Sequence, residues 1–251
     1  MNANMKSVQC VAPGELEFAT RPAPGSPQEG WALVAVSHVG ICGTDYHIFE
    51  GKHPFLAYPR IMGHELSGTV VETGEGVDLA VGEPVIINPY LACGKCIACR
   101  NGKPNCCVRI EVLGVHRDGA MAEQLLVPAE NLYPANGLSL ADAAAVEFLA
   151  IGAHAVRRAQ ADPGARTLVI GAGPIGLGTA LFARIAGLEV SLLDMSSERL
   201  GFAESEFGFA TLDGSRQAAV ELVRDATGGE GFDAVFDATG NTQSVQSAFA
   251  H

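Results

Sequence analysis

Four cysteines, Cys93, Cys96, Cys99 and Cys107, follow one another with two, two and seven residues between them. Thiolates at such spacing match a closed, tetrahedral, all-cysteine zinc site, which holds a lobe in shape and does no chemistry. Lys95, Arg100, Lys103 and Arg109 surround them and would offset the anionic charge. Cys106 stands beside Cys107 and competes with it as the fourth ligand. A second set is spread along the chain: Cys42 within Gly40–His47, His64 and Glu65 directly after Gly63, and Glu147 downstream of Leu138. A mixed Cys/His/Glu set with one position left for water or substrate is what an open, catalytic zinc needs. Spacing alone does not separate this set from cysteines and histidines packed in a core.

A third constellation is Gly171-Ala172-Gly173-Pro174-Ile175-Gly176, a G-x-G-x-x-G pattern. An apolar strand, Thr167–Ile170, precedes it, a helix follows, and Asp194 closes the next strand, close to the expected twenty or so residues on. In that context Gly171 permits the tight turn, Gly173 lets the backbone approach a pyrophosphate, and Gly176 lets helix pack on strand. Amide donors at the helix start favour the phosphates. Asp194 would accept hydrogen bonds from the adenosine ribose and repel a 2′-phosphate, which favours NAD over NADP. The alternative for Asp194 is a helix N-cap for Ser196–Leu200. Arg199 either lines the adenine pocket or lies on a solvated face.

These residues need scaffolding of two kinds. Up to about residue 135 the chain reads as short strands separated by Gly and Pro, among them Trp31–Ser37, Leu66–Thr73 and Glu83–Asn88. This half is all-β and loop-rich. From Ser139, a capping hydroxyl with Asp142 three residues on, alanine-rich helical sequence is predicted to run to about Gln160, ended by Pro163-Gly164. Strands at Thr167–Ile170, Glu189–Leu193 and Phe232–Phe236 then alternate with helices, and Gly187 stands where a C′ glycine belongs. The fold class is therefore α/β: an all-β domain over 1–145 followed by a doubly wound parallel sheet over 146–251. A full sheet of this kind needs about six strands. Roughly four are counted before His251, so the second domain is expected to be C-terminally incomplete.

Composition narrows the partners. The formal net charge is −12, which argues against nucleic acid, since phosphate binding needs basic surface. No apolar run is long enough to span a bilayer, and the first six residues lack the apolar core of a secretory signal. No membrane partner and a cytoplasmic, reducing location are expected. In that setting seven cysteines point to metal ligands before disulfides.

Taken together, Gly40–His47, Gly63–Glu65, the cysteine lobe, Gly114–Glu123, Glu147 and the glycine loop resemble, in order, the zinc-containing medium-chain dehydrogenases. Glu147 resembles the polyol branch of that family, where liver-type alcohol dehydrogenases carry cysteine. Tyr58–Glu65, Asn88–Cys93, Pro104–Cys107 and Gly114–Gly119 are similar to the bacterial L-galactonate 5-dehydrogenase group, which also carries the doubled cysteine. The resemblance implies a GroES-like catalytic domain before a Rossmann domain, one catalytic and one structural Zn2+, and NAD. It implies Cys42 and His64 as zinc ligands, Glu65 as a ligand exchangeable with substrate, and Glu147 as a ligand, direct or through water. It implies that Asp45 orients the zinc histidine and that Thr44 and His47 relay the proton. For His47 the alternative is a surface-loop histidine. His38, His53, His116 and His154 match no family role and read as structural or surface residues, His116 being the first candidate for an exception. The implied reaction is hydride transfer between NAD and a secondary alcohol of a polyol or sugar acid, in a homo-oligomer, tetramer or dimer. The alternatives are a threonine-type or simple alcohol dehydrogenase, and a non-catalytic zinc-binding remnant.

Overall fold

The structure is a computed structural model of the 251-residue chain and describes residues 4–249. The chain divides into two compact units inside one helix, between Glu147 and Phe148.

The first unit is built on strands. β1 (Asn4–Ala12) and β2 (Glu15–Pro22) form an antiparallel hairpin. β3 (Trp31–Gly40) pairs antiparallel with β4 (Glu65–Thr73), and β5 (Pro84–Ile87) continues the sheet. β6 (Tyr90–Leu91) and β7 (Glu111–Val112) form a small separate ladder. β8 (Gln124–Pro128) and β9 (Leu132–Pro134) close the five-stranded sheet in the order β8-β3-β4-β5-β9. Its core is aliphatic: Val34, Leu66, Val70, Val85, Ile87 and Val127 are essentially without solvent contact.

Helices interrupt this half more than its loop-rich sequence predicts. α1 (Gly43–Phe49) forms over a segment for which the sequence predicted no helix. The Asp45 carboxylate accepts the Cys42 backbone N–H at 2.8 Å, and Ile48 is buried beneath the helix, so a local cap and one apolar anchor hold a short helix that periodicity could not reveal. α2 (Ile97–Arg100) is a single turn inside the cysteine lobe. The one helix expected from Ser139 to Gln160 is two, α3 (Leu140–Ala144) and α4 (Val146–Ala159), broken at Ala145. Ser139 does cap α3, accepting from Asp142 N at 3.1 Å. The break lets α3 pack across β3, β4 and β5, where the Ser67 hydroxyl donates to the Leu140 carbonyl. Gln160 lies outside the helix at φ 52°.

The second unit is the parallel sheet. β10 (Arg166–Ile170) leads into α5 (Pro174–Ile185), which ends at Ala186, and Gly187 follows at φ 84°. β11 (Glu189–Asp194) is followed by α6 (Ser197–Phe207). β12 (Ala210–Asp213), a strand too short and polar to read from sequence, and α7 (Ala219–Thr227) come next, then β13 (Ala234–Asp237) and α8 (Thr242–Ala248). The order is β12-β11-β10-β13, all parallel. This is the arrangement in which the strand order reverses between β10 and β13, and ligands bind beyond the carboxyl ends at such a switch. Alternate residues fill the two faces: Val169 and Leu192 pack with Ala180, Leu200 and Phe209, while Leu168, Ile170 and Leu193 pack with Val223.

The turn after β13 is tied by one carboxylate. Asp237 accepts from Thr239 N and Oγ1, both at 2.9 Å, from Gly240 N at 3.3 Å, and from the Ser244 hydroxyl. Burial alone would raise its pKa, but the hydrogen bonds of Ser244 and Thr239 outweigh burial and hold the carboxyl below the usual carboxylate range. The stabilisation is therefore complete above about pH 4, the ordinary aspartate value, and is lost as pH falls through the lower folded value. Asp237→Ala is expected to cost about 1–2 kcal/mol at pH 7, with the gap to the parent chain closing below about pH 4, as read by urea unfolding at pH 7 and pH 3.

Candidate active site and cofactor loop

Three elements of the first unit bring Cys42, His64 and Glu65 together. Cys42 precedes α1, and Glu65 opens β4 opposite Gly40, the last residue of β3. The Cys42 thiol, a His64 ring nitrogen and a Glu65 carboxylate oxygen lie within 4.8 Å of one another. His64 and Glu65 are buried, at 5% and 8% exposure. Gly40 is what makes the room: a Cβ there would stand 2.4 Å from the Glu65 Oε2. Burial raises the Glu65 carboxyl, with the neighbouring Glu147 charge adding to it, and burial likewise raises the Cys42 thiol.

Glu147, in the first turn of α4, is not part of that three-atom group. It is buried beside it, and its Oε1 accepts a 2.6 Å hydrogen bond from the Tyr90 hydroxyl. Neither Glu65 nor Glu147 has an ion pair with Lys or Arg among the described residues. The buried atoms His64 Nδ1 and Asp45 Oδ1 have no hydrogen-bond partner there either. Buried carboxylates and a thiol converging without a protein cation, with an orphaned imidazole nitrogen among them, fit a divalent metal, which would neutralise the set. The donors, one sulfur, one nitrogen and carboxylate oxygens, are those zinc accepts. Asp45 spends its Oδ2 on the Cys42 N–H rather than on an imidazole. Thr44 and His47 ride on α1, with Thr44 Oγ1 3.8 Å from the Cys42 sulfur and His47 exposed. His47 is thus a helix residue and not a loop one.

The four cysteines 93, 96, 99 and 107 also converge, all sulfurs within 4.8 Å and the Cys96–Cys99 pair at 3.4 Å. A tetrahedral zinc with about 2.3 Å bonds separates its sulfurs by roughly 3.8 Å, so the cradle has the right size. Cys107 is buried and accepts N–H bonds from Cys93 at 3.3 Å and Arg109 at 3.4 Å. Cys106 is exposed, 3.6 Å from Asn105 Nδ2, and outside the group. The Cys99 backbone N–H draws the Cys96 thiol down to about 6, whereas desolvation pushes Cys99 up to about 12.

In the second unit Gly171 takes φ 98°, a conformation side chains resist. A Cβ on Gly176 would fall 1.6 Å from the Gly171 carbonyl oxygen, so the third glycine is required by the approach of helix to loop. Gly173 faces open space and caps α5, with Pro174 and Ile175 in the first turn. Asp194 is 9% exposed. It accepts Ala172 N at 2.6 Å on one oxygen and Ser196 N at 2.8 Å on the other, with Arg199 at 3.9 Å. The N-cap of α6 is Ser196 and not Asp194. A cavity of about 670 Å³ opens beside Asp194, lined by Ala172, Ser196, Arg199 and Phe202. Ala238 and Thr239, beyond β13, border the glycine loop. Their only signal in the sequence was the turn-forming Asp-Ala-Thr-Gly. Tyr90 and Gly40 stood inside segments that carry the resemblance, but nothing there pointed to their contacts with Glu147 and Glu65, which lie 57 and 25 positions away.

Comparison with known proteins agrees with this construction. The model of the alcohol dehydrogenase GroES-like domain matches residues 28–137, and that of the zinc-binding dehydrogenase domain matches residues 174–251. The chain belongs to the zinc-type alcohol dehydrogenase family, with a GroES-like domain followed by a Rossmann-like one. It is an oxidoreductase of that kind. The L-galactonate-5-dehydrogenase of Escherichia coli K12 is 42% identical over 246 residues, 98% of this chain and 72% of that protein. A zinc-binding dehydrogenase of Sinorhizobium meliloti 1021, solved bound to NADP, superposes with a TM-score of 0.90 at 33% identity, covering 99% of this chain and 74% of that one. A short chain alcohol dehydrogenase (rspB) of E. coli CFT073, solved with NADH, gives 0.89 at 33% identity, covering 98% and 73%. Among the described residues no helix is long and apolar enough to cross a membrane.

Because Gly40 makes space for Glu65, Gly40→Ala is expected to displace that carboxylate and weaken zinc binding at Cys42, His64 and Glu65 by about 10- to 100-fold. Chelator competition on the purified protein measures this, with circular dichroism reporting an unchanged fold.

Proposed function

We propose that the chain is a zinc-dependent, NAD-preferring dehydrogenase that oxidises a secondary alcohol of a polyol or sugar acid, L-galactonate-like aldonates first among them. The observation that carries this reading is the convergence of the half-buried Cys42 with the buried His64 and Glu65, with a second buried carboxylate, Glu147, beside them. The 42% identity to an L-galactonate-5-dehydrogenase supports the substrate class. Cys42, His64 and Glu65 would hold the catalytic zinc, and Glu147 would serve as a further or exchangeable ligand. Cys93, Cys96, Cys99 and Cys107 would hold a second, structural zinc.

When bound, the catalytic zinc supplies a Lewis acid to the substrate oxygen and the nicotinamide supplies the hydride acceptor. The chain's residues then manage the proton. Thr44 and His47 stand three apart on α1 and share a face. The half-buried Thr44 hydroxyl would take the substrate's proton while releasing its own into the relay, and the exposed His47 imidazole would take up the relayed proton and release one to solvent. Burial keeps water from competing at Glu65 and Glu147. Gly171, Gly173, Pro174, Ile175 and Gly176 would cradle the pyrophosphate at the start of α5. A carboxylate has about four acceptor positions, so Asp194, with its two backbone bonds, retains capacity for ribose hydroxyls while its charge disfavours a 2′-phosphate. Arg199 would border the adenosine.

The test is NADH absorbance with the zinc-loaded protein, NAD and a panel of aldonates, polyols, threonine and simple alcohols. Turnover is expected on aldonates or polyols. Cys42→Ala is expected to lower kcat by about 10²- to 10⁴-fold, the equivalent of several kcal/mol of transition-state stabilisation. Turnover confined to threonine or simple alcohols would move the chain to another branch, and zinc and NAD binding without turnover on any member would favour a non-catalytic role. Asp194→Ser is expected to shift the NAD-to-NADP ratio of kcat/KM toward NADP by about tenfold, or about 1.4 kcal/mol. An unchanged ratio would remove Asp194 from cofactor selection.

A further inference from the structure

Tyr90 is bonded to the candidate site through Glu147, and the proposed mechanism does not use it. Its mounting is unusually firm for a residue in a two-residue strand. The Tyr90 N–H donates to Asn88 Oδ1 at 3.1 Å, and the Asn131 side-chain amide donates to the Tyr90 carbonyl at 3.0 Å and to the Asn88 carbonyl at 2.8 Å. The Asn88 N–H closes the bracket on the Asn131 carbonyl at 2.8 Å. Asn131 is 4% exposed, so this bracket works away from competing water. On the other side Tyr90 pairs with Val112.

The ring so held points its hydroxyl at Glu147, donating to Oε1 at 2.6 Å. This lies at the short end of the O–H···O range. Among the described residues no other side chain or backbone group donates to Glu147, so its second oxygen is left without a protein partner. A neutral donor is the group such a place tolerates. A lysine or arginine there would pair with the carboxylates and remove the charge that attracts a metal.

We infer that Tyr90 is a positioning residue: its hydroxyl fixes one oxygen of Glu147 and thereby presents the other to the metal held by Cys42, His64 and Glu65. This rests on the zinc reading above. Without the hydroxyl, Glu147 keeps its charge but loses its orientation, and the metal loses a directed ligand. Groups that orient a ligand in this way are worth about 10- to 100-fold in metal affinity or activity.

The experiment is a Co2+ titration of the full chain followed by its visible absorption, taken as the difference from Cys42→Ala so that the four-cysteine site cancels. Tyr90→Phe, which keeps the ring and its packing, is expected to weaken Co2+ at this site by about tenfold or more and to shift the visible band, with kcat falling more than KM rises. Glu147→Gln is expected to do the same, and Tyr90→Phe is expected to add nothing further in the Glu147→Gln background, because the two act as one unit. A packing role alone would lower the urea midpoint and leave the band and the affinity unmoved, which would overturn the inference. Additive losses in the double variant would also overturn it. Absence of any Co2+ difference between the parent chain and Cys42→Ala would instead sink the metal site itself, and the role of Tyr90 with it.

Discussion

The arrangement of the first unit turns on one electrostatic constraint: three acidic groups, the half-buried Cys42 thiol and the buried Glu65 and Glu147 carboxyls, are gathered with no Lys or Arg paired to the carboxyls among the described residues. Burying like charges is among the most costly things a fold can do unless a counterion is present. The folded chain shows that cost directly, since burial raises both the Cys42 thiol and the Glu65 carboxyl. Several otherwise arbitrary details follow from it. Gly40 has no side chain because Glu65 occupies that space. Asp45 spends an oxygen on the Cys42 N–H, fixing the turn that carries the thiol. Tyr90 gives Glu147 a neutral donor. A divalent cation at this site, as proposed, would offset that cost, and β4 of the five-stranded sheet carries Glu65.

The second unit solves a different problem, that of holding an anion without a cationic side chain. Its glycine loop is set by backbone sterics: Gly171 turns with positive φ, and Gly176 allows α5 to lie against the loop carbonyl. Asp194 is a fastener: it ties the end of β11 to Ala172 and to Ser196, so the group proposed to read the ribose also fixes the loop beside it. The helix dipole and the amides at the start of α5 would favour the phosphates there without a cationic side chain.

The cysteine lobe resembles neither. It offers four sulfurs and no other donor, the Cys107 sulfur accepts two backbone N–H bonds, and its ligands lie close in sequence as in space. Tyr90 stands three residues before Cys93, so the segment that leaves the lobe on one side is the one that carries the hydroxyl toward Glu147. Closing the lobe around a metal would therefore also steady that segment.

What the sequence determined by itself was whatever depends on local spacing. The four-cysteine cradle, the glycine loop with its flanking strand and helix, the Gly187 stop and the Ser139 cap are all encoded within a few residues, because ligand bite and turn geometry are short-range. Residues spread over more than a hundred positions, Cys42, His64, Glu65 and Glu147, were only suggestive until a family resemblance grouped them. Tertiary structure decided the rest. It put Cys107 rather than Cys106 among the sulfurs, made a helix of Gly43–Phe49, broke the helix at Ala145, and added β12. It gave Glu147 a partner in Tyr90 and left it outside the three-atom group. Those outcomes rest on burial and on contacts between distant segments. No pattern within one stretch of chain can encode them, because the partner that fixes each residue lies elsewhere in the sequence.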